Sequence, residues 1–335
     1  MKAKRKNLGK VLIVQPIAKE GIELLLKHGC EIKQLKSYSP DTLKDEIVDA
    51  DAILIRNAHL SREIIEKGCN LKVISRHGSG MENVDVKTAT EKKIYVTNTP
   101  VANSTSVAEH IIGMMLALAK NLMLMDNATR KGHFDIRHQL YSVELKGKTL
   151  GIIGLGNVGR RVASIASKGL QMNAIGYDPF ISDQPIDTSI RLTNNWQKML
   201  EESDFISLNL PLNKKTAAVI GKKEFDMMKN TAFLINCARG ALVDESELIN
   251  ALKQGRIAGA AIDVYSEDPP PVDHPFFSMK NVILTPHTAA HSNEAMKNMA
   301  IQAAQGIIEV LSSKTPTWPV NKFAINQQED IGGNK

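Results

Sequence analysis

A chain of 335 residues is longer than a single hydrophobic core usually supports, which points to two compact domains with a cleft. With 43% hydrophobic and 23% charged residues, the composition excludes a largely disordered chain, and three scattered cysteines exclude a disulfide framework or a paired zinc motif. The net charge of +6 suits acidic substrates and a pyrophosphate; no finger, helix-turn-helix or aromatic ladder accompanies it, so nucleic acid is not an expected partner.

Lys2, Lys4, Arg5, Lys6 and Lys10 cluster ahead of the first apolar run and read as a frayed terminus. Gln15, Pro16 and Lys19 cut that run short, so no export signal is expected, and widely spaced Cys30, Cys69 and Cys237 fit a reducing, cytoplasmic setting. Short apolar runs follow, VLIVQ at Val11, AILIR at Ala52, VISR at Val73 and IYVTN at Ile94, with amphipathic stretches between them. This alternation predicts a parallel sheet with crossover helices, whose ligands lie beyond the carboxyl ends of the strands.

A long helix is predicted over about 105–124; it contains Glu109 and His110, and its apolar part is too short to span a bilayer, so no membrane association is expected. A second alternating series then begins at Thr149, with TLGIIG, NAIGYD, DFISLNL, AFLINC, IAGAAID and NVILTP as strands. A last helix over about 292–311 is expected to cross back to the first domain. The reading is therefore α/β, with two doubly wound parallel-sheet domains. Residues 105–293 are expected to form a Rossmann domain, inserted in a discontinuous, flavodoxin-like domain of residues 1–104 and 294–335.

Thr149 to Gly159 is an apolar strand running into a GxGxxG turn. Gly154 permits the tight turn, Gly156 lets backbone approach a pyrophosphate, and Gly159 allows close packing of the helix that begins near Asn157 and Val158. An isolated GxGxxG is weak evidence. Here the next strand ends in Asp178, at the distance where a carboxylate accepts the ribose hydroxyls, and Asp183 and Asp187 follow without Arg or Lys. NAD is therefore expected over NADP.

Three further segments follow apolar strands: Asn236-Cys237-Ala238-Arg239-Gly240, Asp263 to Pro269, and Thr285-Pro286-His287-Thr288-Ala289-Ala290. With the glycine turn, they make the chain resemble the D-isomer-specific 2-hydroxyacid dehydrogenases over nearly its whole length. The loop from Arg76 to Asp85 and the stretch Asn98-Thr99-Pro100 resemble the phosphoglycerate dehydrogenase branch. The resemblance implies hydride transfer between NAD(H) and a D-2-hydroxyacid/2-oxoacid pair, with Arg239, Asp268 and His287 catalytic. It also implies cofactor contacts from Leu210, Pro211, Cys237, Ala238, Asp263, Ala289 and Ala290, in addition to the glycine turn and Asp178. A homodimer is implied too, with its interface expected on the long helix and the loop from Arg130 to Tyr141. The sequence ends soon after Val320, so the extra regulatory domain of some phosphoglycerate dehydrogenases is not expected.

The residue types suit the reaction. Reducing a 2-oxo acid requires a cation for the carboxylate, a proton for the carbonyl oxygen and a group that orients the proton donor. A planar guanidinium at Arg239 clamps a carboxylate with more direction than an ammonium, and an imidazole at His287 can lose and regain its proton within a turnover. The family usually has Glu immediately before the proline of the third segment; this chain has Asp268, one methylene shorter, with Glu267 as the reserve. Cys237 has no base in view and reads as a packed residue rather than a nucleophile, and His77 and His110 read as structural. No metal ligand set is expected.

Backbone amides around Ser79 and Gly80 are candidates for the substrate carboxylate, and Arg56 and Arg76 for a distal anion such as phosphate, against the plain alternative of surface ion pairs. The substrate ranking is 3-phosphoglycerate or hydroxypyruvate and glyoxylate first, then unphosphorylated 2-oxo acids such as pyruvate. Two rivals come from other classes. An NADH-sensing, corepressor-like protein would bind dinucleotide without turnover, and a nucleic-acid binder would lose salt-dependent binding on removal of the basic terminus.

Overall fold

A computed structural model describes residues 7–181 and 189–322, so Lys2, Lys4, Arg5, Lys6, Asp183 and Asp187 lie outside the described residues. The chain divides into two compact units, Met1–Asn103 with Asn293–Lys335, and Ser104–Ser292.

Unit one alternates β1 (Gly9–Ile13), α1 (Lys19–Lys27), β2 (Cys30–Gln34), α2 (Pro40–Glu46), β3 (Ala52–Ile55), α3 (Arg62–Lys67), β4 (Val73–Arg76), α4 (Val86–Glu91) and β5 (Tyr95–Thr97). The strands pair in parallel in the order β2-β1-β3-β4-β5, the flavodoxin-like order. Strand periodicity divides each run between two faces. Leu12, Ile53, Ile55, Ile74 and Val96 join a core with residues of α2 and α3, while Val11, Ile13, Ala52, Leu54 and Val73 join another with Ala303, Ala304 and Ile307. Helix starts follow local chemistry: Ser39 accepts from the Thr42 amide ahead of Pro40, and Asp85 accepts from the Thr88 amide at 2.9 Å.

Unit two opens with α5 (Ser104–Ala119) and α6 (Leu122–Arg130). Its sheet elements follow as β6 (Thr149–Ile153), α7 (Asn157–Ser164), β7 (Asn173–Tyr177), β8 (Ile190–Leu192), α8 (Trp196–Glu202), β9 (Phe205–Leu208), α9 (Lys222–Met227), β10 (Phe233–Asn236), α10 (Glu245–Lys253), β11 (Gly259–Ile262) and β12 (Val282–Leu284). The order β12-β11-β10-β9-β6-β7-β8 is the Rossmann winding, which reverses between β6 and β9. Leu150, Ile152, Phe205 and Ile235 pack with α5 and α7 on one face; Ile153, Ile206, Leu208 and Leu234 pack with α8 to α10 on the other. The final helix, α11 (Asn293–Leu311), belongs to unit one and packs on α1 and β4.

Two expectations need correction, and two strands were not anticipated. The helix expected over 105–124 is two helices bent by 61°, because Asn121 takes a left-handed conformation (φ +53°) that ends the hydrogen-bond ladder. Lys10 is not frayed: it lies in β1, its amide donates to Asp51 at 2.9 Å and its ammonium pairs with Asp49. Edge strands β2 and β8 carry too few apolar residues to stand out in the sequence. Among the described residues, no single helix is long and apolar enough to cross a membrane.

Candidate functional site

The glycine turn sits at the reversal of the unit-two sheet, between the ends of β6, β7 and β9. Gly154 (φ +94°) donates its amide to Tyr177 O at 2.8 Å, and a Cβ there would fall 2.5 Å from Asn209 O. A Cβ on Gly159 would stand 2.0 Å from Gly154 O, so only glycine lets α7 begin so close to the strand. At Gly156 an added Cβ would meet nothing within 4 Å, which leaves an open cradle at the N-terminus of α7, where Asn157 and Val158 begin the helix. Asp178 accepts from the Leu155 amide at 2.9 Å and the Phe180 amide at 3.0 Å, holding its carboxylate beside the turn. Leu210 packs against Gly154; Pro211 follows it and accepts from Thr216 Oγ1 at 2.7 Å. An open turn, a helix N-terminus and an adjacent carboxylate fit a dinucleotide.

The remaining unit-two candidates stand at the carboxyl ends of three adjacent strands. Arg239 follows β10, Asp263 and Asp268 follow β11, and His287 follows β12. Two strand spacings separate the ends of β10 and β12, about 10 Å, within reach of an arginine and an imidazole converging on a small anion. The His287 Nδ1–H donates to Asp268 Oδ2 at 2.6 Å, which leaves Nε2 for proton exchange. The shorter acid therefore reaches its histidine, and Glu267 is exposed.

His287 itself has φ +56°, a conformation unfavourable for a side-chain-bearing residue, so its turn must be held from outside. Asp263 holds it. Fully buried, Asp263 accepts at Oδ1 from Thr285 Oγ1 (2.6 Å) and the Thr288 amide (2.8 Å), and at Oδ2 from the Ala289 amide (3.0 Å). With its one proton given to Asp263, Thr285 can only accept from His110 Nε2 (3.1 Å), which ties α5 to the turn. Ala289 O accepts from Ser106 Oγ at 2.8 Å, a second tie to α5, and Ala290 is half-buried. Asp263, expected only as a cofactor contact, thus also ties the His287 turn in place.

Asn236 was not singled out by sequence reasoning. Buried at the end of β10, its side chain accepts from the Ala238 amide at 3.1 Å and donates to Arg239 O at 2.9 Å, pinning the turn on both sides of the arginine's backbone. The available signal was an amide side chain closing an apolar strand. Burial, with Asp263 adding to it, pushes the Cys237 thiol well above its ordinary range. The ligating atoms of Cys237, His110 and Asp263 lie within 4.8 Å of one another, and the Asp263 carboxylate is already engaged by N–H and O–H donors.

In unit one, Arg76 closes β4 opposite Ile55 of β3, and Arg56 follows Ile55. Arg56 donates to Pro16 O at 3.1 Å, and the Arg76 guanidinium lies over Gly78 and donates to His77 O at 2.5 Å. Ser79 is exposed and Gly80 half-buried; Ser79 O accepts from Asn98 Nδ2 at 2.8 Å. Gln15 was overlooked as well: buried after β1, its Oε1 accepts from the amides of Arg56, Asn57 and Ala58 at 2.9–3.0 Å and so sets the Arg56 backbone.

A Rossmann-wound unit with this glycine turn beside a carboxylate, and with an acid–imidazole pair at the carboxyl ends of the same sheet, is the architecture of a nicotinamide-dependent dehydrogenase. Residues 112–289 match the model for the D-isomer specific 2-hydroxyacid dehydrogenase, NAD binding domain, and the chain belongs to that family. It is 40% identical over 322 residues to D-3-phosphoglycerate dehydrogenase of Methanocaldococcus jannaschii, covering 96% of this chain and 61% of that protein. It is 36% identical over 325 residues to glyoxylate reductase of Thermofilum pendens, covering 93% and 94%. Among solved structures it resembles D-lactate dehydrogenase with NAD+ from Lactobacillus jensenii (TM-score 0.79, 29% identity, covering 93% and 100%). The chain spans about 60% of the length of the phosphoglycerate dehydrogenases it matches.

Proposed function

We propose that the chain is an NAD-dependent D-2-hydroxyacid dehydrogenase, acting on a substrate of the 3-phosphoglycerate or hydroxypyruvate and glyoxylate type. The observation that carries this reading is the His287–Asp268 pair at 2.6 Å, on loops of the same sheet that bears the glycine turn and Arg239. Arg239 clamps the substrate carboxylate and polarises the neighbouring carbonyl. His287 delivers its Nε2 proton to the carbonyl oxygen during reduction and takes it back in the reverse direction, while Asp268 keeps the ring in place through Nδ1. Bound NADH supplies the hydride. Asp178 faces the ribose hydroxyls and selects against a 2′-phosphate by like charge.

Unit one carries the remaining candidates for anionic groups of the substrate: the Ser79 and Gly80 amides for a carboxylate, and Arg56 and Arg76 for a phosphate. Support for a phosphorylated substrate comes from these two arginines at the ends of neighbouring strands and from the name of the Methanocaldococcus relative; the Thermofilum relative supports the unphosphorylated alternative. Three free cysteines fit a cytoplasmic setting. A homodimer fits the apolar surface of α6 and the loop after it: Leu122, Met123, Phe134 and Tyr141 are exposed, and Met123 and Tyr141 border a cavity of about 350 Å³ also lined by Leu118, Leu140 and Ile283.

The decisive test is a panel of 2-oxo acids, phosphorylated and plain, assayed with NADH and NADPH. The expected result is turnover with NADH that falls at least about a hundredfold in His287→Ala and Arg239→Ala, but little in His138→Ala. NADH binding without turnover of any of the acids, or equal rates in all three variants, would defeat the reading.

A further inference from the structure

The acid of the dyad is short and stands in an exposed loop, yet it meets His287 at 2.6 Å with about half of each side chain open to solvent. Exposed ion pairs contribute little to stability, while ordering a loop residue has an entropic cost as large or larger, so the pair cannot hold its own geometry. We infer that Tyr265, Glu245 and His274 form a brace that sets the reach of Asp268 to His287, making them positioning residues for the reaction proposed above, on which this inference rests.

The brace has two attachment points. Tyr265 is buried and donates its hydroxyl to Thr285 O at 3.0 Å, two residues before His287. Burial pushes its phenol up, so it retains the proton it donates. The Ser266 amide donates to Glu245 Oε2 at 3.3 Å, at the first turn of α10. Glu245 Oε1 in turn accepts from His274 Nε2 at 3.1 Å.

His274 is 8% exposed, and its Nδ1 accepts from the Phe276 amide at 3.3 Å. Since Nδ1 accepts an N–H, it carries no proton; the hydrogen is on Nε2 and points at Glu245. Phe276 and Tyr265 flank the ring, with centroids 4.7 and 6.5 Å away, which fixes its orientation. The loop from Tyr265 to Asp268 is thus suspended between the strand end that carries His287 and the start of α10.

The loop of Arg239 leans on the same peptide. A Cβ on Gly240 would come within 2.0 Å of the Tyr265 carbonyl, so a glycine immediately after the arginine brings that turn onto the brace. All three reactive loops therefore meet at Tyr265, the Arg239 and Asp268 loops through its backbone and the His287 turn through its hydroxyl.

The test uses the full chain with Tyr265→Phe, which loses one hydroxyl, and His274→Leu, which keeps bulk but loses the donor to Glu245. Both are expected to lower kcat for 2-oxo acid reduction about tenfold, with KM and NADH affinity by fluorescence nearly unchanged. His274→Gln, whose amide can still donate, should recover most of the rate. In an Asp268→Asn background Tyr265→Phe should add little, because the two act through one contact. Nitrogen-15 spectra of the His287 ring read the same contact without substrate: the Nδ1-protonated tautomer of the parent should lose population in both variants.

Unchanged kcat and an unchanged His287 spectrum, or losses that multiply with Asp268→Asn, would overturn the brace. A parent chain that reduces no 2-oxo acid, or a His287→Ala variant of full activity, would instead overturn the dehydrogenase reading, and the spectra would still decide the brace.

Discussion

Single side chains here do more than their positions in the sequence suggest. His77 illustrates it: the residue lies between two candidate substrate arginines, but it is buried, and burial, with Arg56 as the next contributor, pushes its pKa from 6.5 down to about 4. Folded His77 is therefore neutral between those values while the unfolded chain takes up a proton. Stability should fall as pH drops through that window, by at most about 3 kcal/mol, and should be insensitive to this group above it. Urea unfolding followed at Trp318, in a Trp196→Phe background, would show this slope between pH 6.5 and 4, and His77→Gln should flatten it; an unchanged slope would place the linkage elsewhere. The same local logic separates the readable site residues from the hidden ones. Arg239, His287 and the glycine turn stand inside short contiguous segments with recognisable chemistry. Gln15, Tyr265 and His274 act on groups brought near by folding, so nothing adjacent in the sequence marks them, while the only mark of Asn236 is an amide side chain closing an apolar strand.

Elements were legible where their own periodicity was strong. Central strands such as β3, β9 and β11 are buried along their full length and read as continuous apolar runs, whereas β2 and β8 are mostly exposed and were invisible. The α5–α6 break was missed because leucine and methionine continue across Asn121, and only the left-handed backbone there reveals the bend. Sheet edges are closed by devices of the same hidden kind. At the β5 edge the buried Asn321 side chain accepts from the Val96 amide at 2.8 Å and donates to Ile94 O at 2.9 Å, while Val320 N donates to Val96 O. Asn321→Ala leaves a buried amide without its acceptor, a cost of about 1–3 kcal/mol. Hydrogen exchange at Val96 should accelerate accordingly while strands of unit two keep their protection; equal protection at Val96 would show that the clip does not hold the edge.

At the scale of the molecule, the proposed dimer gives the exposed apolar residues of α6 and the following loop a role that single-chain packing does not. A stable pair needs about 800 Å² covered on each chain, and Met123 and Tyr141 are both exposed and both line the apolar cavity. Sedimentation should give twice the mass of one chain, and Met123→Glu with Tyr141→Glu should halve it; a monomeric parent would remove the proposal. The sequence by itself determined the class of fold, the cofactor turn and the residue types that carry the chemistry, because strand–helix alternation and short loop motifs are local patterns. Tertiary structure alone decided that Asp268 rather than Glu267 meets His287, and that a buried carboxylate at Asp263 steadies the strained turn. Those outcomes depend on atoms more than ten residues apart being brought within hydrogen-bonding distance, and no periodicity in the chain encodes that separation.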